Sequence, residues 1–367
     1  MQRIKTYSFP RAGLLGNPSD GYFGKTISFA FSDFGVELTM AESDRIRFIP
    51  GAVDDATFDS PENLVRDVRL YGYYGGVRLL KAVTKRFYEY CMDNGIALPR
   101  RNFTAEYRIN IPRLVGLSGS SAICSAMLKA LMKFYEADIP IEIRPTLCLE
   151  AERELGINCG FQDRVIQIYN GLVFMDFERG YVEAHNYGKY ERLDPTVFSN
   201  TKPFNLSTVQ PFNLYLAYDA NRAEESGKAH ANVKSRFEKK NPDVIAAMSE
   251  FADLAQRGRD LLIDSRVEVE RREKELADLI NANFDLRDKI FNVAPENRRM
   301  VMTARSAGAS AKFAGSGGAI VGTFEDDKHF ERLSAALSTI GCTTLKPVIA
   351  TDDENPGESS LANWRSS

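Results

Sequence analysis

A strand, a glycine/serine loop and a helix in direct succession constrain this chain more than any other feature. Phe103 to Ile109 alternates like a β-strand, and Gly116-Leu117-Ser118-Gly119-Ser120-Ser121-Ala122 follows it. Ile123 to Glu136 then sets Met127, Leu131 and Tyr135 on one helical face. Glycines let backbone amides come close to a ligand, and a helix beginning there points its positive end at the same spot, so the unit reads as a phosphate cradle. It is neither a G-x-x-x-x-G-K-[ST] loop nor a G-x-G-x-x-G fingerprint. An ordinary Gly/Ser helix cap is the competing reading of the loop taken alone.

Three further segments bear on the same chemistry. Lys312-Phe313-Ala314-Gly315-Ser316-Gly317-Gly318-Ala319 is a second glycine loop, either a flexible turn or a flap that closes over phosphates or substrate from another domain. Leu149-Glu150-Ala151-Glu152-Arg153-Glu154 and Gly160-Phe161-Gln162-Asp163-Arg164 supply acids. Helical acids are usually solvated, but phosphoryl transfer needs hard oxygen ligands for Mg²⁺ and a carboxylate for the attacking hydroxyl, and Glu152 and Asp163 could fill those roles. Near the N-terminus, Arg11 precedes Gly16-Asn17-Pro18-Ser19-Asp20, which is turn chemistry or a site where Arg11 meets a phosphoryl group and Asn17 and Asp20 bind sugar hydroxyls.

Composition narrows the partners. Forty-seven Lys and Arg against fifty Asp and Glu leave a formal charge of -3, so nothing electrostatic points to nucleic acid or an anionic membrane. No apolar run reaches a membrane span and the N-terminus lacks an apolar signal region, which fits a cytoplasmic protein. Five scattered cysteines without a C-x-x-C pair, and three scattered histidines, argue against disulfides and zinc.

At 367 residues the chain is too long for one ordinary core, and two domains sharing a cleft are expected. Strands are expected over Lys25 to Met40, Arg45 to Ile49, Leu172 to Phe177, Phe212 to Tyr218, Ala319 to Phe324 and Thr343 to Val348. Helices are expected from Ser60, over Gly75 to Asp93, Pro145 to Leu155 and Asp163 to Tyr169, in the charged stretch Gly227 to Asn281, and over Lys328 to Ile340. Glu178-Arg179-Gly180 reads as a turn, and the polar stretch Gly188 to Pro211 as the domain connection. The resulting division is an N-terminal domain over 1–195, a C-terminal α+β domain over 205–350 and a polar tail over 351–367.

Taken in order, the three glycine-containing segments resemble the three motifs of the GHMP kinases, the superfamily of galactokinase, homoserine kinase, mevalonate kinase and phosphomevalonate kinase. The middle loop departs from the usual G-L-G-S-S-A through an extra serine, so the register of individual phosphate contacts shifts by up to one residue. Gly16 to Gly24, Gly72 to Leu80, Gln162 to Val165 and Lys312 to Gly318 also resemble the plant-type glucuronokinases, and the likeness runs from about Arg11 to Val348.

This resemblance implies a ribosomal protein S5 domain 2-like N-terminal domain and a ferredoxin-like C-terminal domain, with ATP and substrate between them. It implies Asp163 as catalytic base with Arg11 beside the reacting hydroxyl, residues Gly116 to Ala122 on ATP, and Ser121 and Glu152 on Mg²⁺. Asn17, Asp20, Tyr74, Arg164, Gly315, Gly317 and Gly318 are the implied substrate-binding set. The implied acceptor is D-glucuronate, whose carboxylate calls for a cation, with Arg164, Arg78, Lys228 and His230 as candidates. Another sugar, such as galactose, fucose or a heptose phosphate, would use the same phosphate apparatus, and a sensor that binds sugar and nucleotide without turnover is the non-enzymatic alternative.

Overall fold

Alternation and glycine placement account for most of the architecture. The computed structural model describes residues 3–50, 54, 60, 75–157, 160–194, 213–219, 226–264 and 266–351. The strands are β1 (Arg3–Ser8), β2 (Arg11–Leu15), β3 (Lys25–Ala30), β4 (Val36–Ser43), β5 (Arg47–Ile49), β6 (Asn102–Ile109), β7 (Leu172–Asp176), β8 (Lys189–Leu193), β9 (Leu214–Tyr218), β10 (Lys312–Phe313), β11 (Ala319–Thr323) and β12 (Thr343–Leu345). In β4 the residues Val36, Leu38 and Met40 are buried while their neighbours are not, the period-2 signature of a sheet with one wet face.

Among the described residues these strands form three four-stranded sheets. One runs β1-β4-β6-β5, with β5 parallel to β6, one runs β2-β3-β7-β8, and one runs β10-β11-β9-β12. The first two come from the first half of the chain and the third from the second half.

The described helices are α1 (Gly76–Asp93), α2 (Gly119–Tyr135), α3 (Arg144–Glu154), α4 (Gln162–Tyr169), α5 (Arg179–His185), α6 (Ser226–Glu238), α7 (Pro242–Ile263), α8 (Val269–Ile290), α9 (Pro295–Ser306) and α10 (Asp327–Ser338). Helix α2 packs on β1 and β4 and against α1 and α3, so its middle is buried almost all round. Helices α7 and α8 pack on each other and reach back to β3 and β2. Elements of the second half therefore close over a sheet of the first, and the site lies at that seam.

Three expectations need correction or fall outside the described residues. Glu178-Arg179-Gly180 opens the short helix α5 rather than a turn, because Val182 is buried against the core and the Arg179 guanidinium sits 4.1 Å over the Phe23 ring. Those tertiary contacts outweigh the modest helical cost of Gly180. The expected connection from Gly188 begins instead with strand β8, paired along Leu172–Asp176 and burying Leu193. The expected helix after Ser60, Tyr74, most of the connection and the tail beyond Thr351 lie outside the described residues.

Candidate active site

Arg11, on the second strand, is 6% exposed and is the residue that joins the separate motifs. Its Nε donates to Asp163 Oδ1 at 2.7 Å, and its Nη1 donates to the carbonyls of Gly116 at 2.8 Å and Ala314 at 2.9 Å. One guanidinium thus holds a carboxylate, the first glycine loop and the second. The rigid fork of arginine suits that task better than a lysine ammonium.

The two glycine loops touch. A Cβ on Gly315 would run into the Gly116 carbonyl, and Gly116 itself has φ +74°. A side chain at either place would push the loops apart. Gly13 N donates to Ala314 O at 2.7 Å, so the second loop covers the open edge of β2.

Asp163, in the first turn of α4, receives a second hydrogen bond from Ser118 Oγ at 2.7 Å. Ser118 is the serine that sets this loop apart from the usual motif. It sits in the left-handed region at φ 66°, and its carbonyl accepts from Gln167 Nε2 at 2.9 Å and Ser121 Oγ at 3.1 Å. Burial would raise the Asp163 carboxyl, but the guanidiniums of Arg11 and Arg164 and the bonds from Arg11 and Ser118 outweigh it and hold the group below its ordinary range. Asp20 behaves oppositely: burial, reinforced by the charge on Asp163, pushes its carboxyl up to about 6. Gln162 donates to both Asp20 oxygens, from its backbone at 3.2 Å and its side chain at 3.1 Å.

Below the two loops, Lys312 is fully buried and donates to Gly13 O at 2.6 Å, Asn17 Oδ1 at 2.5 Å and Phe313 O at 2.8 Å. Burial, with the charges of Arg287 and Arg11, holds its amine well below the usual lysine value. Asn283 bridges Gly16 N and Asn17 O, and Arg287 donates to Gly315 O at 2.9 Å and Ser316 O at 2.8 Å. Asn283 and Arg287 have no recognisable sequence signal, since their partners are backbone groups on other segments, while Lys312 opens the second glycine loop without any local sign that its amine would be buried.

These residues surround a cavity of about 470 Å³ whose wall includes Arg11, Asn17, Asp20, Asp163, Gly116 and Gly315. Ser118, Gly119 and Ser120 also line it, at the start of α2, where first-turn amides have no intrahelical acceptor. That cradle suits an anionic phosphate and fits ATP. Leu117, though buried, lines the cavity as well, while Ala122 and Ser121 are fully buried and absent from its wall; Gly317 and Gly318 pack against Gly116 and Val115 of the first loop without reaching that wall.

The expected metal ligands are placed differently. Glu152 is fully buried and absent from the cavity wall; its Oε2 accepts from Arg164 Nε at 2.5 Å and its Oε1 from Ser120 Oγ at 2.8 Å. Ser121 is fully buried and absent from the cavity wall, and its hydroxyl donates to the Ser118 carbonyl. Among the described residues no group of three or more His, Cys, Asp or Glu side chains could hold a metal ion. As arranged, Ser121 and Glu152 do not fit Mg²⁺.

Comparison with known proteins agrees with this architecture. A family model for the GHMP kinases N terminal domain matches residues 78–171, and one for the GHMP kinases C terminal matches residues 265–341. The Lactococcus lactis galactokinase complexed with galactose superposes with a TM-score of 0.70 over 95% of this chain and 94% of its own, at 14% identity. The chain is 44% identical to probable glucuronokinase 2 of Arabidopsis thaliana over 86% of its length and 82% of that protein, and 40% identical to glucuronokinase 1 of the same plant over 87% and 84%. It belongs to the GHMP kinases, in the family of the glucuronokinases. No helix among the described residues is long and apolar enough to cross a membrane.

Proposed function

We propose that the chain is a sugar 1-kinase that transfers the γ-phosphoryl group of ATP to the anomeric hydroxyl of D-glucuronate, giving 1-phospho-α-D-glucuronate and ADP. The observation that carries the phosphoryl-transfer reading is Asp163, held ionised by Arg11 and Ser118 where the two glycine loops meet in the cavity wall. A carboxylate has about four lone-pair sites, so two hydrogen bonds leave room for a substrate hydroxyl. Asp163 takes the hydroxyl proton as the new oxygen–phosphorus bond forms and the bond to the β-phosphate oxygen breaks. Arg11 keeps Asp163 anionic and faces the charge that develops on the phosphoryl oxygens. In this reading the first-turn amides of α2 cradle the ATP phosphates, and Asp20 and Asn17, which also line the cavity, are assigned to the sugar hydroxyls.

The choice of glucuronate rests on the two Arabidopsis relatives and their names. Of the cations proposed to read its carboxylate, Arg164 is committed to Glu152 and to Gly160 O, Arg78 is exposed away from the cavity wall, and the side chains of Lys228 and His230 lie outside the described residues. Arg153 and Lys234 are exposed cations that line the cavity, and the Arg153 guanidinium sits 5.3 Å over the Phe161 ring. They take the place of the earlier candidates. An ADP-release assay with glucuronate, glucose and galactose tests the reading: kcat/KM should favour glucuronate by orders of magnitude, and Arg153→Met or Lys234→Met should erode that ratio while sparing ATP affinity. Equal turnover of glucose would leave a general sugar kinase in its place.

A further inference from the structure

Two of the most deeply buried charges have no part in the transfer just described. Glu152 lies near the end of α3 and Arg164 in the first turn of α4, with side chains 0% and 1% exposed. Both Arg164 Nε and Nη2 contact the same Glu152 oxygen, and Nη1 donates to Gly160 O at 2.6 Å. The same guanidinium lies 3.7 Å from Asp163 Oδ2. Ser120 Oγ takes the other Glu152 oxygen.

A buried ion pair of this kind behaves as a unit, because removing one partner leaves the other charge desolvated and uncompensated. A divalent cation approaching Glu152 would have to displace a guanidinium already in contact with it, and would leave Arg164 buried without its counter-ion. Repulsion between the two cations acts across a few ångströms of low-dielectric interior. The cavity wall, moreover, contains Arg164 and Ser120 but not Glu152.

We propose that Arg164 occupies, with respect to Glu152, the place of a divalent cation: Glu152 is not a metal ligand in this chain, and any Mg²⁺ in the reaction arrives and leaves on the nucleotide phosphates. Arg164 is then a positioning residue that fixes the Gly160 loop and the flank of Asp163. The inference rests on the phosphoryl-transfer reading of the cavity.

The experiment compares the intact protein with Glu152→Gln, Ser121→Ala, Arg164→Lys and the double substitution Glu152→Met with Arg164→Met. Two readouts are taken: the free Mg²⁺ giving half-maximal ADP release at fixed saturating ATP, and Mn²⁺ binding to the ADP complex followed by electron paramagnetic resonance. Glu152→Gln should lose kcat and thermal stability yet keep both metal constants within about twofold of the parent. Arg164→Lys should lower kcat at least about tenfold with the Mn²⁺ constant unchanged, since a point-like ammonium cannot reproduce the planar fork that reaches Glu152, Gly160 and the flank of Asp163 at once. A rise of tenfold or more in either metal constant on Glu152→Gln or Ser121→Ala, with kcat recovering at high Mg²⁺, overturns the proposal. Should Glu152→Gln not fold, the double substitution removes both charges together and reads the same constants, as does Ser121→Ala. If the parent protein releases no ADP with any sugar, the kinase reading falls while Mn²⁺ binding still decides the role of Glu152. If it binds no Mn²⁺ with ADP, both fall.

Discussion

The cavity is flanked by two buried polar clusters, and they are built on opposite principles. Around Asp163 every cation meets a carboxylate: Arg11 pairs with Asp163, and Arg164 with Glu152. Around the second glycine loop the Lys312 Nζ lies within hydrogen-bond distance of three oxygens, none of them a carboxylate, and Arg287 holds the carbonyls of Gly315 and Ser316. The first arrangement sets protonation states, splitting Asp163 downward from Asp20 upward. The second sets distances, because a backbone carbonyl cannot titrate and serves only to tie one segment to another. Chemistry is concentrated on one side of the cavity and geometry on the other.

The sharpest way to break this contrast is Asp163→Asn. An amide keeps the shape but cannot accept the hydroxyl proton, so kcat should fall ~10²–10⁴-fold while calorimetry finds ATP binding intact; near-parental kcat would place the chemistry elsewhere.

Asp20→Asn tests the electrostatic side through stability. The Asp20 carboxyl is raised from 3.8 to about 6 in the folded protein, so it binds protons more tightly there than in the unfolded chain. The parent therefore loses stability as pH rises from about 4 to 6. Asparagine has no such loss, and its stability relative to the parent should grow across that window by as much as about 3 kcal/mol, at about 1.4 kcal/mol per pKa unit. Denaturant melts at pH 4 and 7 read the difference, and a pH-independent gap would refute the assignment.

On the geometric side, Gly315→Ala forces a methyl group into the Gly116 carbonyl and towards Arg11. Misplacement of about 1 Å near a reacting centre can cost ~10²-fold in rate, so kcat/KM should drop on that scale, together with a lower melting temperature because the clash is with backbone. Gly180→Ala, whose Cβ meets only the exposed Glu178 carboxylate at 3.2 Å, is the control and should be silent in the assay.

The smallest effect belongs to Lys312→Met. With its folded value depressed, Lys312 adds stability that is present at high pH and lost as pH falls towards that value. The stability gap between parent and variant, read by denaturant melts at about pH 7 and 10, should thus widen as pH rises towards 10.5. A gap that narrows with rising pH would mean that Lys312 is held charged by an acid.

Much of the frame was legible because it depends on local pattern. The period-2 burial of β4, the α2 helix after Gly119 and the strand Leu172–Asp176 follow from residues within one or two turns of each other. Asp163, Arg11 and the two glycine loops were likewise visible as motifs, and they meet in one wall. Less was legible where neighbours distant in sequence decide. Helix α5 forms at a glycine because Phe23 and the core hold it, and Ser118, expected on a phosphate, turns its hydroxyl to Asp163 from 45 residues away.

By itself the sequence determined which side chains were available: two glycine loops able to approach a phosphate, an arginine and acids of the right type, and near-balanced charge with no reason for a polyanionic partner. Tertiary structure alone decided how those groups are spent. Glu152 and Arg164 are 12 residues apart on different helices, and only their packing turns a metal-ligand candidate into half of a buried ion pair. Lys312 acquires its role from carbonyls some 300 residues away. The physical reason is that a charge is defined by its surroundings: residue type fixes what can be protonated or donated, while burial and the partner brought beside it fix whether it is.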